Sequence, residues 1–175
     1  QQVAGEVGTQ AFGDYRQLLP QVDAVSIAVP TSLHHEVAKA CLQARVDVMV
    51  EKPITTTLGE ADDLITLAKE HQRILQVGHL ERFNPAVLAI QPMLTHPLFI
   101  EAHRIAVFKD RGTDVDVVLD LMIHDIDLAL ALCDGEPIAV EGEGAITRST
   151  SLDWVKAEAT IDNGFTAVFD SSRVA

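Results

Sequence analysis

Apolar residues follow two different patterns in the first half of the chain. Residues 23–30 and 47–51 contain short uninterrupted apolar runs, which are typical of strands buried on both faces of a sheet. Residues 34–45 and 59–71 place apolar side chains three and four positions apart, which predicts helices. A third strand is predicted over residues 73–78. Strands and helices that alternate with short connections predict a parallel sheet with right-handed crossovers.

The pattern changes after residue 78. Helices are predicted over residues 84–95 and 117–132, and the second of these is strongly apolar. Asn163-Gly164 is a strong signal for a two-residue hairpin turn. We therefore predict the α/β class, with the back half of a Rossmann-type parallel sheet in residues 1–80 and a partial α+β domain with a mostly antiparallel sheet in residues 81–175. The strands predicted in this second domain are residues 98–108, 137–146, 153–161 and 165–169.

Composition limits the classes of function. The 175 residues suit one domain or slightly more, and 47% of them are hydrophobic, which predicts a globular chain. The net charge of −13 argues against nonspecific binding to nucleic acid or to an anionic membrane, because either needs a basic face. No apolar run approaches the roughly 20 residues that span a bilayer, and the first residues lack a secretory pattern, so we expect a cytoplasmic protein. Cys41 and Cys133 lie in apolar helical patterns, and we expect both to be buried core residues.

The second predicted strand ends directly in charge, at Glu51-Lys52-Pro53. Ligands of open parallel sheets bind beyond the carboxyl ends of the strands. Lys52 is therefore placed to meet a substrate, and Pro53 restricts the backbone beside it. A solvated turn explains these residues equally well, because Lys and Glu are mostly exposed. Thr31 and Ser32 follow the first strand at the same edge, where they could contact a cofactor or cap the next helix.

A polar stripe interrupts the apolar helix. Asp120, His124 and Asp127 are spaced by four and three residues, so we expect them to share one face. Charge inside such a helix is costly unless it is paired or lines a cavity. A carboxylate one turn before a histidine can orient the ring and raise its basicity, which suits a general base. The alternative is that these polar side chains only hydrogen-bond to one another or lie on an exposed edge of the helix. A metal site is a weaker alternative, because no third or fourth ligand is evident.

The loop before this helix is basic in an otherwise acidic chain. Lys109 and Arg111, together with Arg104, could hold phosphate or carboxylate groups of a substrate. Ordinary surface charge explains them as well. Arg82 follows the third strand and lies at the same ligand edge. Other histidines have no convincing partner in the sequence and are treated as structural, namely His35, His71, His79, His96 and His103.

The glycine-rich turn G-x-G-x-x-G, which cradles the pyrophosphate of a dinucleotide, does not occur in this sequence. Gly5 and Gly8 do not form it, and no apolar strand precedes them. The chain opens at Gln1 without a core strand, and its last strand pattern stops at Ala175. We therefore expect it to be a piece of a longer protein, and we expect the piece alone to bind a dinucleotide poorly.

Four segments together resemble the glucose–fructose oxidoreductase, inositol dehydrogenase and rhizopine catabolism (Gfo/Idh/MocA) family of NAD(P)-dependent oxidoreductases. Each segment alone is weakly specific, but their order and spacing match the family over nearly the whole chain. The segments are residues 24–30 with His34, residues 51–53, residues 77–85 and residues 119–127.

The resemblance implies a role for each of these residues. It implies that Lys52 contacts the reacting hydroxyl and the nicotinamide side, that His124 is the general base, and that Asp120 orients the reaction. The implied cofactor is NAD or NADP. Its implied contacts are Pro30, Thr31, Ser32, Leu33, His34, Glu51, Lys52, Pro53 and Arg82. The residues assigned to the substrate are Arg104, Lys109, Arg111 and Asp127.

Residues 103–116 and the helix that follows are most similar to one branch of the family, the UDP-N-acetylglucosamine 3-dehydrogenases. This likeness implies a sugar or nucleotide-sugar substrate oxidised at a hydroxyl group. A dehydrogenase of free sugar or inositol is an alternative, and so is a non-catalytic member that senses a cofactor or a sugar. Family members usually form dimers or tetramers through the second sheet, which implies a homo-oligomer for the longer protein.

Overall fold

The computed structural model describes residues 2–109, 113–133 and 135–174. Its first sheet has the strand order β1-β2-β3, with every pair parallel. A short helix α1 (Gln2–Glu6) precedes this sheet, and helices α2 (His34–Gln43) and α3 (Leu58–His71) connect its strands. This arrangement confirms the predicted Rossmann-type parallel sheet. The strands are β1 (Ala24–Ile27), β2 (Asp47–Glu51) and β3 (Leu75–Gly78).

The two connecting helices begin in different ways. Helix α3 begins with a capping box, in which the Thr57 side chain accepts from the Glu60 N–H and the Glu60 carboxylate accepts from the Thr57 N–H. Helix α2 follows a 3-10 turn, Thr31–Leu33, and its first turn has no side-chain cap. The prediction that Thr31 or Ser32 caps this helix is therefore wrong.

The first core lies between the sheet and these helices. Val48 and Val50 of β2 pack against Leu42 of α2 and Leu64 of α3, and all four are at most 2% exposed. Cys41 also lies in this core, as predicted, and Cys133 lies in the second core. Val48 and Val50 share the face of β2 that the helices cover, whereas Met49 on the opposite face is only half-buried, so the prediction of a strand buried on both faces is wrong. Pairing with β1 and β3 on either side places the carboxyl end of β2 at Glu51 beside the ends of those strands.

The second sheet has the strand order β4-β7-β6-β5. Strands β4 and β7 are parallel, whereas β7, β6 and β5 are antiparallel neighbours. The sheet is therefore mixed and mostly antiparallel, as predicted. The division of the chain at residues 80 and 81 stays a prediction. The strands are β4 (Phe99–Ile105), β5 (Pro137–Ala145), β6 (Trp154–Ile161) and β7 (Thr166–Ser172).

The hairpin between β6 and β7 is one residue longer than predicted. Ile161 donates its N–H to the carbonyl of Phe165, which leaves residues 162–164 as a three-residue loop. Gly164 has a φ of 87°, in the left-handed region that such loops require at this position. The predicted two-residue turn is therefore wrong, although its glycine does reverse the chain.

Helices in the second half are shorter or less regular than predicted. Helix α4 (Pro85–Ile90) gives way to a 3-10 turn, Gln91–Met93, because Pro92 has no N–H to continue the helix. The apolar helix opens with a π-helical turn, Val118–Met122, and only then becomes α5 (Ile123–Leu132). Among the helices of the described residues, none combines the length and apolar character needed to cross a membrane.

Candidate active site

Lys52 lies just beyond the carboxyl end of β2 and contacts the π-helical turn of the second half. Its ammonium group donates to the Asp120 carbonyl oxygen at 2.5 Å and lies 3.4 Å from the Asp120 carboxylate. The Lys52 side chain is 19% exposed and that of Asp120 is 27% exposed. The pair is therefore partly shielded from water, which strengthens it relative to a surface pair. Lys52 is not a solvated turn residue in this structure.

His124 follows Asp120 by one turn and is half-buried. Its Nδ1 atom is buried and has no hydrogen-bond partner, which leaves Nε2 as the ring nitrogen available to a ligand. Burial, followed by the positive charges of Lys52 and Arg104, lowers the pKa of His124 from its ordinary value. The ring is therefore neutral near pH 7 and can accept a proton.

Asp127 does not line the site as a free carboxylate. The Arg82 guanidinium donates to both of its oxygens, at 2.7 and 2.6 Å. His79 is also near, with its Nδ1 atom 3.7 Å from Asp127. Arg82, assigned to the cofactor, and Asp127, assigned to the substrate, are thus each other's partners.

A second bidentate pair joins Arg104 and Asp125, at 2.9 and 2.7 Å. Hydrogen bonding to this carboxylate raises the pKa of Arg104. Arg104 was assigned to the substrate, but its fork is already filled by a carboxylate. Lys109 is exposed, and Arg111 lies outside the described residues.

Sequence reasoning missed Asp125, although a signal was available. Strand β4 turns Ile100 and Ala102 toward the core, and Arg104 follows in the same phase. An inward-facing arginine needs a buried acceptor, and the only acidic residues of the neighbouring helix are Asp125 and Asp127. This pattern limits the possible partners of Arg104 to Asp125 and Asp127.

His34 was assigned to the cofactor, yet its ring is 1% exposed. Its Nδ1 atom lies 2.8 Å from the Pro53 carbonyl oxygen, and its Nε2 atom lies 3.0 Å from the Val29 carbonyl oxygen. His34 therefore joins the loop after β1 to the loop after β2. Pro53 itself is buried beside the partly exposed Glu51.

The segment between β1 and α2 faces the other half of the chain. The Ser32 N–H donates to the Asp114 carboxylate at 3.2 Å. Thr31 is half-buried, whereas Pro30 and Leu33 are exposed. These four residues lie at the ligand edge and none of them is buried in the core, so they are accessible to a cofactor.

Two further observations concern the rest of the predicted residues. His35 lies 2.7 Å from Asp63 across α2 and α3, so the statement that it has no partner is wrong. Nowhere in residues 2–109, 113–133 and 135–174 do three or more His, Cys, Asp or Glu side chains gather as metal ligands would.

Comparison with known proteins covers both halves of the chain. The profile of the oxidoreductase family with an NAD-binding Rossmann fold (GFO_IDH_MocA) matches residues 1–79, and that of the GFO/IDH/MocA C-terminal domain matches residues 95–175. The chain is 42% identical to the UDP-N-acetylglucosamine 3-dehydrogenase of Acidithiobacillus ferrooxidans over 174 residues, which are 99% of this chain and 56% of that enzyme. A solved structure with that name and organism superposes with a TM-score of 0.92, covering 99% of this chain and 58% of the other.

A more distant relative is the inositol 2-dehydrogenase of Mycolicibacterium smegmatis, which is 31% identical over 146 residues, covering 78% of this chain and 42% of that enzyme. The chain spans about half the length of the curated relatives it matches. Both family profiles, in the expected order, agree with the parallel sheet followed by the mixed sheet. The chain belongs to the Gfo/Idh/MocA family of oxidoreductases.

Proposed function

We propose that the protein carrying this chain is an NAD(P)-dependent oxidoreductase of sugars or nucleotide sugars. In the favoured form it transfers a hydride between the 3-hydroxyl carbon of UDP-N-acetylglucosamine and the nicotinamide. The observation that carries the proposal is the contact of Lys52 with Asp120, 68 positions apart, with the half-buried His124 one turn further on. The name of the 42% identical relative supports the nucleotide-sugar substrate.

The three side chains can divide the work of oxidising an alcohol. Lys52 places an ammonium group where it can donate to the substrate oxygen. His124 is neutral near pH 7 because of its lowered pKa, so its Nε2 atom can take the hydroxyl proton. Asp120 anchors Lys52 through its carbonyl and carboxylate oxygens and so fixes the distance between donor and base.

The residues present fit the nicotinamide end of the cofactor. The exposed Leu33 and the half-buried Thr31 border the ligand edge, and Lys52 lies beside them at the end of β2. When bound, the nicotinamide supplies the hydride acceptor or donor. The chain's own part is to hold the sugar hydroxyl between Lys52 and His124 and to move its proton.

The two arginine pairs reduce the number of cations that are available to contact the substrate. Arg104 and Arg82 each hold a carboxylate of helix α5 in bidentate form, so their first role is to orient that helix. Of the cations assigned to the substrate, the exposed Lys109 is the one in the described residues without such a carboxylate. We infer that Lys109 is the better candidate for a substrate phosphate.

Two organisational proposals accompany the function. Residues 1–80 form the cofactor domain, and residues 81–175 belong to the substrate and oligomerisation domain. The exposed apolar side chains of Phe99 and Ile105 on β4 support a homo-oligomer formed through the second sheet. Sedimentation of the protein that carries this chain tests the oligomer, and a monomer at micromolar concentration contradicts it.

The activity is tested with UDP-N-acetylglucosamine and NAD or NADP, followed by the absorbance of the reduced cofactor. We expect turnover in the wild type and a loss of about 10²–10⁴-fold in kcat for both Lys52→Met and His124→Asn. Lys39→Met is the matched control, because Lys39 pairs with Asp63 on the surface of α2 and α3, away from the site.

Each other outcome overturns part of the proposal. Turnover of inositol or glucose without turnover of nucleotide sugars would identify a free polyol, and not a nucleotide sugar, as the substrate. Cofactor binding without turnover of any polyol would indicate a non-catalytic sensor and would refute the enzyme activity. Full activity in Lys52→Met and His124→Asn refutes the assigned roles.

A further inference from the structure

A buried ion pair, Asp153 and Arg173, lies at the end of the second sheet where β6 begins and β7 ends. Asp153 is 0% exposed and Arg173 is 4% exposed. The Arg173 Nε atom donates to Asp153 at 2.9 Å, and the Arg173 N–H donates to the Asp153 carbonyl at 3.0 Å. Neither residue was singled out in the sequence, and neither has a part in the proposed chemistry.

The Asp153 carboxylate organises the connection between β5 and β6. It accepts hydrogen bonds from the backbone N–H groups of Thr147, Arg148 and Ser149, at 2.6 to 2.9 Å, and from the Ser149 hydroxyl at 2.7 Å. Burial alone would raise the pKa of Asp153, but these donors outweigh burial and hold that pKa far below its ordinary value. The carboxylate is therefore charged at neutral pH.

The other end of Arg173 reaches the segment that leads into the site. Its Nη1 atom donates to the Val115 carbonyl at 2.9 Å. The Nη2 atom donates to the hydroxyl groups of Ser149 and Ser151, at 3.0 and 2.9 Å. Alongside it, the Val117 N–H donates to the Leu152 carbonyl at 2.9 Å. Residues 115–117 are thus fastened to the end of the second sheet.

Further hydrogen bonds connect the segment that ends at Val117 with Lys52. Asp116 accepts the Leu119 N–H through its side chain at 3.0 Å and the Asp120 N–H through its carbonyl at 3.0 Å. Asp120 in turn holds the Lys52 ammonium group. A guanidinium is suited to this task because its planar fork can satisfy several acceptors in fixed directions at once.

We propose that Arg173, anchored by Asp153, is a positioning residue that sets the place of Asp120 and His124 relative to Lys52. The inference rests on the proposed function for its kinetic consequence. Its structural consequence, an altered environment of His124, does not depend on turnover. A lysine at position 173 keeps the charge beside Asp153 but cannot reach Val115, Ser149 and Ser151 together.

The test compares Arg173→Lys with the wild type by two readouts. The first is the imidazole titration of His124 by proton NMR, with the resonance assigned by its absence in His124→Asn. We expect the His124 pKa to move toward its ordinary value, because a displaced turn loosens the burial and the Lys52 contact that lower it. The second readout is turnover, for which we expect kcat to fall by up to about 10²-fold while KM changes little.

Trp154→Phe is the matched control. It removes the hydrogen bond from the Trp154 indole to Asp170 at 2.9 Å, at the beginning of the same β6 strand, without touching residues 115–117. We expect it to lower Tm but to leave the His124 titration and kcat unchanged. Arg173→Gln, whose side-chain amide is shorter and neutral, is the second variant if Arg173→Lys changes the His124 titration and kcat too little to measure.

The outcomes separate the two proposals. An inactive wild type with a shifted His124 titration in Arg173→Lys refutes the proposed function but supports the positioning role. An active wild type whose titration and kcat are unchanged in both Arg173 variants overturns the positioning role, as does an equal response in Trp154→Phe.

Discussion

Replacing His34 by leucine is expected to destabilise the first sheet strongly. The His34 ring is 1% exposed, and its two nitrogens meet the carbonyl oxygens of Pro53 and Val29. A neutral imidazole carries one N–H and donates to one of these carbonyl groups at a time. Leucine has a similar bulk but no donor, so that carbonyl group loses its partner without a large cavity being opened.

The size of the loss follows from this one contact. A buried acceptor left without its donor costs about 1–3 kcal/mol. The one acceptor that loses its donor therefore predicts a fall of about 1–3 kcal/mol in the free energy of unfolding. Domains of this size are stable by only about 5–15 kcal/mol, so this loss is a measurable share of the total stability.

The assay is urea unfolding followed by far-ultraviolet circular dichroism. His35→Leu is the control, because His35 lies next in the same helix and its pair with Asp63 is partly exposed. We expect a much smaller loss there, since exposed ion pairs contribute little. Equal losses in His34→Leu and His35→Leu would refute the reasoning.

Two further predictions concern pH and glycine. The lowered pKa of His124 means that the unfolded chain binds more protons, so stability is greatest above about pH 6.5 and falls as pH drops from there toward the folded-state pKa. His124→Asn should show a smaller fall in Tm between about pH 7 and about pH 5, and an identical fall would contradict this. Gly164→Ala should lose about 1 kcal/mol because φ is +87°, whereas Gly59→Ala in helix α3 should gain about 0.5–1 kcal/mol. In urea unfolding these two changes should have opposite signs, since neither added methyl group meets a neighbour.

The first sheet could be predicted because each of its strands is a local apolar run. In the run 48–50, for example, Val48 and Val50 are buried against the helices, and Met49 on the other face is half-buried. Strand β7 was predicted to end at Phe169, yet it continues through Ser172. Its last residues are polar and gain their strand conformation from neighbours on both sides, as in the pairing of Ser172 with Ile105 and Trp154. Such pairing depends on tertiary structure and leaves no local signal.

The candidate site was predictable in part for the same reason. The sequence placed Lys52 at a strand end and His124 in an apolar helix, each by a local pattern. It could not place Asp120 against Lys52, because that contact joins the two halves of the chain. It also treated the helix as regular, whereas the π-helical turn Val118–Met122 changes the phase between Asp120 and the residues after it.

The two arginine pairs explain why a strongly acidic chain can keep a neutral histidine beside its carboxylates. Asp125 and Asp127 follow His124 on the same helix, and unpaired carboxylates there would favour the protonated ring. Arg104 and Arg82 each bind one of them in bidentate form, which opposes that effect. Burial and the positive charges of Lys52 and Arg104 then outweigh the opposing charges of Glu81 and Asp125, and they lower the pKa of His124. The net charge of −13 therefore says nothing about the field at the base, which is set by how each carboxylate of this helix is paired.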